Sequence, residues 1–329
     1  MVDIHGTSRP GDQHDLAAAL AAAPVVLDGG LATELERRGH DLAGALWSAR
    51  LLRDDPRALV DTHVAYFAAG AQVATTASYQ VSKQGVRAAG FGADEWARLL
   101  RRSVELARRA QAIAAAASTA WPARPTWVAA SVGPYGATLA DGSEYRGDYG
   151  LSVAALRTFH RPRLEVLAAA GPDVLACETL PCLAEVEALC HELAAFDVPA
   201  WISLTLERLR TRNGEDLTEA YAMAGSVPSV VAVGLNCSDP GYAREAVALA
   251  AAASGKPVVV YPNSGETWDA GARTWAGEAR LATGAVTSWI TAGARLVGGC
   301  CRVGPKEIGE IARIIAEEPT PSSGGDLPH

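Results

Sequence analysis

The chain has 329 residues, of which 49% are hydrophobic and 20% charged, a composition typical of a globular protein with a large core. Its formal net charge of -8 argues against nucleic-acid binding through phosphate neutralisation, which needs a basic surface. The polar start lacks the basic stretch of a secretory signal, and the apolar run 16–27 is shorter than the roughly 20 residues of a membrane span. We therefore expect a cytoplasmic protein that binds neither nucleic acid nor membrane.

Eight short apolar runs, most followed by a segment of helical composition, predict a series of βα units. In chain order the predicted strands are 25–28, 72–76, 127–132, 174–177, 200–205, 230–236, 257–261 and 294–298. Helices are predicted at 56–69, 94–117, 151–170, 183–195 and 242–253. Most of the runs are continuously apolar, as in parallel strands buried on both faces.

This alternation predicts an α/β fold of the (β/α)8 TIM-barrel class. The alternative is a doubly wound open sheet, which is disfavoured because no Gly-x-Gly-x-x-Gly follows an early strand. We expect residues 1–15 to form a flexible N-terminus and residues 16–318 a single barrel. The polar, Gly- and Pro-rich segment 319–329 is expected to be disordered.

Polar residues follow most of the predicted strands. Because the active site of a barrel lies at the carboxyl ends of its strands, these residues are expected to share one rim. They include Asp28, Gly29, Thr76, Ser78, Tyr79, Tyr135, Glu178, Asn236, Cys237, Cys300 and Cys301.

Three of the six cysteines have positions that suit a metal ion. Cys300 and Cys301 are adjacent after the last strand, where preceding glycines allow the backbone to bend, and Cys237 ends the sixth strand. Three thiolates suit Zn²⁺ with an open fourth position, which a substrate thiolate would complete. A closed structural site is less favoured, since no histidine stands at a predicted strand end. The other three cysteines, Cys177, Cys182 and Cys190, are expected to be buried core residues.

Six segments of the chain match a known family pattern. They are LDGGLATELERRGHDL from Leu27, TTASYQ from Thr75, SVGPYGATLADGSEYRGDY from Ser131, CETLP from Cys177, GLNCS from Gly234 and GGCC from Gly298. Over residues 25–314 the chain resembles the homocysteine S-methyltransferase family, and the pairing of GLNC with a distant GGCC is the most specific part of the match.

The resemblance implies a barrel with Zn²⁺ on Cys237, Cys300 and Cys301, homocysteine as methyl acceptor and methionine as product, a step of methionine biosynthesis. It also implies that Asp28 and Glu178 hold the amino group of homocysteine, while Asn236 and Thr76 line the pocket. From the residues alone, Asp28 could instead cap a helix and Glu178 could pair with an arginine. No catalytic residue beyond the zinc ligands is expected.

The segment 135–149, together with Ser78, Tyr79 and Gln80, resembles family members that use S-methylmethionine or S-adenosylmethionine. The chain also stops soon after the predicted barrel, unlike betaine-dependent members, and a monomer or weak oligomer is expected. Tyr79 and Tyr135 are candidates to face the sulfonium donor through their rings, with core packing as the alternative. Gly29 is also placed in the substrate pocket.

Other functions stay open at this point. They are a betaine-dependent or selenocysteine methyltransferase of the same family, a non-catalytic regulator that binds zinc or a thiol, and an unrelated barrel enzyme with a reactive cysteine. The polar residues at the other strand ends disfavour the regulator. The lack of a lysine or histidine at a strand end disfavours the unrelated enzyme.

Overall fold

The computed structural model describes residues 15–42, 47–92, 94–118, 124–269, 274–276 and 283–317. The expected tail 319–329, and all of the expected flexible N-terminus except Asp15, lie outside these residues. Asp15 itself caps the first helix by accepting a hydrogen bond from the backbone N–H of Ala17 at 2.9 Å.

Eight parallel strands form the sheet. They are β1 Val25–Val26, β2 Val73–Thr75, β3 Trp127–Val132, β4 Val174–Leu180, β5 Ala200–Leu204, β6 Val230–Asn236, β7 Val258–Tyr261 and β8 Ala294–Val297. The strands are hydrogen-bonded in the order β1-β8-β7-β6-β5-β4-β3-β2. The ring closes between β1 and β2, where Leu27 bridges Val73 and the N–H of Gln72 donates to the carbonyl of Val26 at 2.8 Å. The predicted (β/α)8 barrel is confirmed.

The described residues contain twelve α-helices, most of them on the outside of the barrel. They are α1 Leu16–Ala22, α2 Leu31–Arg37, α3 Trp47–Asp54, α4 Pro56–Ala68, α5 Lys83–Ala88, α6 Glu95–Ala117, α7 Val153–Ala169, α8 Leu183–Leu193, α9 Leu217–Gly225, α10 Ala243–Ser254, α11 Val286–Ala292 and α12 Pro305–Glu317. The start of α4 shows why these segments become helical. Asp55 caps the free N–H of Ala58, and Pro56 fits the first turn because it lacks an N–H. No helix in the described part of the chain has the length and apolar character needed to cross a bilayer.

All eight predicted strands are present, with one difference that affects the site. Strand β4 runs three residues past the predicted end at Cys177, so Glu178 lies inside the strand. The register against β5 shifts between Cys177 and Leu180, and Thr179 has a left-handed φ of 63°. An irregularity of this kind re-aims the neighbouring side chains. It gives Glu178 a direction that the apolar pattern did not predict.

The rim carries two short ribbons and two 3₁₀ turns that the sequence did not predict. The ribbons pair Leu206–Glu207 with Arg210–Thr211 after β5, and Thr267–Asp269 with Thr274–Ala276 after β7. The turns Gly136–Thr138 and Ser143–Tyr145 follow β3. All four lie in loops at the carboxyl ends of the strands.

The barrel interior is a packed core. Its largest side chains are Trp127, Trp201 and Tyr261, and α1 adds Leu16 and Leu20 to the same cluster. A second, larger cluster fills the layer between the strands and the outer helices. Since side chains fill the interior, a ligand has to bind at the rim, as in other barrels.

Candidate active site

The sulfur atoms of three cysteines meet at one point of the rim. Cys237 directly follows β6, and Cys300 and Cys301 follow β8. Strand β7 lies between β6 and β8 in the barrel. The Sγ of Cys237 lies 3.1 Å from that of Cys300 and 3.7 Å from that of Cys301. All three sulfurs are within 4.8 Å of one another. Side chains that are about 63 positions apart in the chain thus form one cluster.

Backbone contacts fix this cluster. Cys237 has a left-handed φ of 49°, uncommon for a residue with a side chain, and its carbonyl accepts a hydrogen bond from Thr205 Oγ1 at 3.1 Å. The N–H of Cys301 donates to Asn263 Oδ1 at 3.1 Å. The absence of a side chain at Gly298 allows the segment after β8 to pack closely against Leu27, because a Cβ at this position would lie 2.5 Å from the Cβ of Leu27.

The donor set fits a soft metal ion. Zn–S bonds of about 2.3 Å in tetrahedral geometry separate two sulfurs by ~3.8 Å. This agrees with the 3.7 Å between Cys237 and Cys301, whereas Cys237 and Cys300, at 3.1 Å, would have to move slightly apart. Hydrogen bonds from the thiols of Cys300 and Cys301 hold the pKa of Cys237 well below its usual range. The three cysteines could therefore hold a metal ion, and Cys300 and Cys301 are open enough to admit a further ligand.

Asp28 is buried two residues after the end of β1, and its carbonyl accepts a hydrogen bond at 3.2 Å from the N–H of Gly299, the residue before Cys300. Its carboxylate accepts hydrogen bonds from the N–H of Thr75 at 2.7 Å and from Thr75 Oγ1 at 2.9 Å. Burial raises the pKa of Asp28 to about 8, against the lowering effect of these hydrogen bonds. The alternative role as a helix cap does not apply, because α2 begins at Leu31 with Gly30 at its N-cap.

Glu178 is the second buried carboxylate of the rim. It accepts hydrogen bonds from Ser131 Oγ and from the hydroxyl of Tyr261, the latter at 2.9 Å. Burial raises its pKa to about 7, and these two hydrogen bonds oppose the rise. In the described part of the chain no arginine forms an ion pair with Glu178 or Asp28. Two buried acids without a basic partner suit a cationic ligand, since an unpaired buried charge is costly.

Asn236, Thr76 and Ser78 form hydrogen bonds with the residues next to Glu178, namely Thr179 and Ser131. Asn236 accepts from the N–H of Thr179 at 2.7 Å and donates to Thr179 Oγ1 at 2.7 Å, which fixes the irregular turn of β4. Thr76 Oγ1 accepts from the N–H of Ser131 at 3.1 Å and lies 2.8 Å from Ser78 Oγ. The polar groups of these side chains therefore form hydrogen bonds with one another and with the adjacent strands, which fixes their orientation.

Of the two candidate tyrosines, Tyr135 packs edge-on against Tyr149 and Phe159, with ring centroids 5.3 and 5.1 Å apart. Tyr79 lies against Gly133, where a Cβ would come within 2.7 Å of its ring. Gly29 lies against Tyr66 and the carbonyl of Val303, so it brings the loops after β1 and β8 together. Tyr145 contacts the cysteine cluster directly, with its hydroxyl 3.6 Å from Cys237 Sγ.

The chain matches the family model described as homocysteine S-methyltransferase over residues 25–315, which is most of its length. The chain belongs to the homocysteine S-methyltransferase family. Among curated members, the homocysteine S-methyltransferase of Escherichia coli is 46% identical over 293 residues, covering 87% of this chain and 94% of that protein. Homocysteine S-methyltransferase 4 of Zea mays is 44% identical, covering 93% and 95%.

Two further members extend the comparison. The selenocysteine methyltransferase of Astragalus bisulcatus is 39% identical and covers 92% of this chain and 95% of its own length. The metallated form of the homocysteine methyltransferase MmuM from Escherichia coli superposes with a TM-score of 0.79 at 42% identity, covering 88% of this chain and 96% of that one. The barrel and its enzyme class are therefore those of the family.

Three residues that contact the candidate site residues were not predicted from the sequence. Ser131 is hidden inside an apolar strand, so no polar signal at a strand end could reveal it. Tyr261 is the last residue of β7, so its hydroxyl is a polar group at a strand end that the sequence does display. Tyr145 stands in the quoted segment after β3, but only the folded loop brings it to Cys237.

The remaining cysteines are buried away from the cluster. Cys177 lies in β4, Cys182 precedes α8 and Cys190 lies within that helix. Burial raises the pKa of Cys182 and of Cys190 to about 12, so both are held as neutral thiols. They have the surroundings of small apolar residues.

Proposed function

We propose that this protein transfers a methyl group from a sulfonium donor, S-methylmethionine or S-adenosylmethionine, to the thiol of homocysteine, giving methionine. The observation that carries the proposal is the cluster of three sulfurs close to two buried acids, neither of which has a basic partner among the described residues. Homocysteine offers matching groups, because it has a soft thiol at one end and an ammonium group at the other. The names of the bacterial and plant relatives support the same acceptor.

We propose that the metal is zinc, held by Cys237, Cys300 and Cys301. When bound, zinc lowers the pKa of a coordinated thiol, so that homocysteine is present as the thiolate near neutral pH. The metallated form known for MmuM supports a metal in this family, and the all-thiolate donor set favours zinc over harder cations.

Asp28 and Glu178 bind the ammonium group of homocysteine in this proposal. Ser131 and Tyr261 donate to the carboxylate of Glu178 from two sides, so the acid is oriented before the substrate arrives. Holding both ends of the acceptor fixes the direction of its sulfur. Such alignment is a large part of the rate of a displacement reaction.

The donor approaches from the loops after β2 and β3. Tyr79 and Tyr135, and with them Tyr145, are the aromatic groups proposed for the sulfonium side. The sulfur of homocysteine attacks the methyl carbon as the bond from this carbon to the sulfonium sulfur breaks. The bonding electron pair stays on the donor sulfur, which leaves as a neutral thioether.

Selenocysteine is a second candidate acceptor. It has the same ammonium and carboxylate groups as homocysteine with a softer nucleophile, and a selenocysteine methyltransferase is 39% identical to this chain. Betaine as donor is less favoured, because the segment 135–149 resembles that of the members that use sulfonium donors.

The test is to incubate the zinc-loaded protein with homocysteine and each of S-methylmethionine, S-adenosylmethionine and betaine, and to measure methionine. We expect methionine with a sulfonium donor and little with betaine. A parallel series with selenocysteine measures the second acceptor. If no donor gives a methylated product while zinc and homocysteine both bind, the protein is the non-catalytic thiol-binding regulator instead.

A further inference from the structure

Three polar side chains are buried outside the barrel, where the outer helices meet the rim. His160 and Arg163 lie on α7 and Glu185 on α8, with exposed fractions of 0%, 2% and 0%. None of them belongs to the proposed active site. We call these three residues the loop clamp.

Arg163 joins two loops that are far apart in the sequence. Its guanidinium donates to the carbonyl of Gly133 at 3.0 Å and to the carbonyl of Tyr79 at 3.1 Å. These backbones touch, because a Cβ on Gly133 would lie 2.6 Å from the carbonyl oxygen of Tyr79. One planar guanidinium can serve both carbonyls, a geometry that lysine does not reproduce.

Glu185 holds the next part of the same loop. Its Oε1 accepts a hydrogen bond from the N–H of Tyr135 at 2.6 Å, and Nε2 of His160 lies 2.8 Å from the same oxygen. The segment from Gly133 to Tyr135 is therefore bound by a positive side chain at one end and a negative one at the other.

In the described part of the chain Arg163 and Glu185 form no ion pair with each other. Instead, Arg163 and Glu185 each form hydrogen bonds with the backbone of the rim loops. The two residues therefore hold these loops in place in addition to packing between α7 and α8. An apolar pair would hold two helices together as well, without the cost of burying charge.

We propose that the loop clamp positions the donor side of the active site. Arg163 and Glu185 are positioning residues that act through Tyr79, Tyr135 and the loop that carries Tyr145 to Cys237. The acceptor side, with Asp28 and Glu178, is held by hydrogen bonds from barrel strands and does not depend on the clamp. The inference rests on the proposed function, because it assigns these loops to the methyl donor.

Arg163→Lys keeps the charge and loses the double donation. We expect the KM for the sulfonium donor to rise by about tenfold or more, since small misplacements remote from the chemistry have large effects on rate. The KM for homocysteine and the zinc content should stay within about twofold, since the acceptor side keeps its contacts. The matched control is Arg161→Lys on the same helix, because the guanidinium of Arg161 pairs with Glu192 of α8 and, among the described residues, forms no hydrogen bond to a rim loop.

A second pair of variants covers the case in which Arg163→Lys does not fold. Glu185→Gln keeps an oxygen acceptor for the N–H of Tyr135, whereas Glu185→Met removes it. We expect the donor KM to rise clearly more in Glu185→Met than in Glu185→Gln. Equal values in the two variants would contradict the clamp.

Amide hydrogen exchange provides a readout without turnover. Peptides that cover residues 133–149 should exchange faster in Arg163→Lys and at the normal rate in Arg161→Lys. Unchanged exchange, or an equal rise of both KM values, overturns the inference. If the unmodified protein methylates nothing, the proposed function fails, while hydrogen exchange still decides whether the clamp orders the loop.

Discussion

The two sides of the active site are built differently. On the proposed acceptor side, Glu178 lies within β4 and Asp28 follows β1 by two residues, and both accept hydrogen bonds from residues at the ends of other barrel strands. On the proposed donor side, Tyr135 and Tyr145 are on a long loop that contacts α7, α8 and the cysteine cluster. A position on a strand is fixed by the barrel itself, whereas the position of the loop depends on a few contacts between distant elements.

The largest effect should come from breaking the cluster where both sides meet. We expect Cys301→Ala to lose methyl transfer and to weaken zinc binding by more than ~100-fold, since even outer-shell partners of metal ligands contribute 10–100-fold. Elemental analysis and a methionine assay measure the two losses. Cys190→Ala, a buried cysteine outside the cluster, is the control and should keep its zinc. An active, metal-free Cys301→Ala protein would refute the metal assignment.

Glu178→Gln should affect the acceptor side alone. We expect the homocysteine KM to rise about 10- to 100-fold, because a hydrogen bond to a charged group contributes roughly 1.5–3 kcal/mol. The donor KM and the zinc content should not change. Steady-state kinetics, with one substrate varied at a time, measures the KM for homocysteine and the KM for the donor separately. The surface variant Glu187→Gln is the control. A zinc content that falls in step with activity would contradict the role of Glu178.

The same side should respond to pH. Burial raises the pKa of Glu178 to about 7 and that of Asp28 to about 8, so from pH 6 to pH 8 Glu178 changes from mostly protonated to mostly ionised and Asp28 from protonated to about half ionised. Methionine has the ammonium group without the thiol, so its affinity reports on the acids alone. We expect calorimetry to show about tenfold tighter methionine binding at pH 8 than at pH 6.

The free energy of unfolding should fall with rising pH over the range in which methionine affinity rises. The unfolded chain ionises these acids at lower pH, so the free energy of unfolding of the ligand-free protein falls as pH rises through about 7 and 8. Methionine affinity that stays level from pH 6 to 8 in the unmodified protein would contradict the assignment of both acids to the ammonium group.

The smallest effect should come from Tyr145→Phe on the donor side. The hydroxyl of Tyr145 forms one long hydrogen bond to Cys237 Sγ, and a bond near the weak end of the range contributes ~0.5 kcal/mol. We therefore expect zinc affinity to fall by about two- to threefold, measured by competition with a chromogenic chelator. Tyr149→Phe, which leaves the sulfurs untouched, should not change it. Equal losses in both variants would argue against the contact.

The difference between the two sides also explains what the sequence could predict. Apolar runs predicted all eight strands, and residues at their ends predicted that Cys237, Cys300 and Cys301 lie together. Parallel strands in a barrel bring their carboxyl ends to one rim, so these predictions need no knowledge of the loops.

The remainder depended on contacts that no local pattern encodes. The irregular turn at Thr179 is fixed by a hydrogen bond to Asn236, 57 positions away. For this reason β4 continues beyond Cys177 and includes Glu178, which the apolar pattern did not predict. Ser131 lies in an otherwise apolar strand, so the pattern did not predict that its hydroxyl contacts Glu178. Arg163 holds the carbonyl of Tyr79 across 84 positions, and nothing near either residue in the sequence indicates this.

The spacing of the cysteines also bears on folding. Cys237 and Cys300 are 63 positions apart and follow the sixth and eighth strands, so an ion bound to both is a cross-link around the barrel. Such an ion binds the native chain far better than the unfolded one, and the free energy of unfolding then grows with the free metal concentration. The centre proposed for methyl transfer would therefore also fasten the last βα units to the rest of the fold.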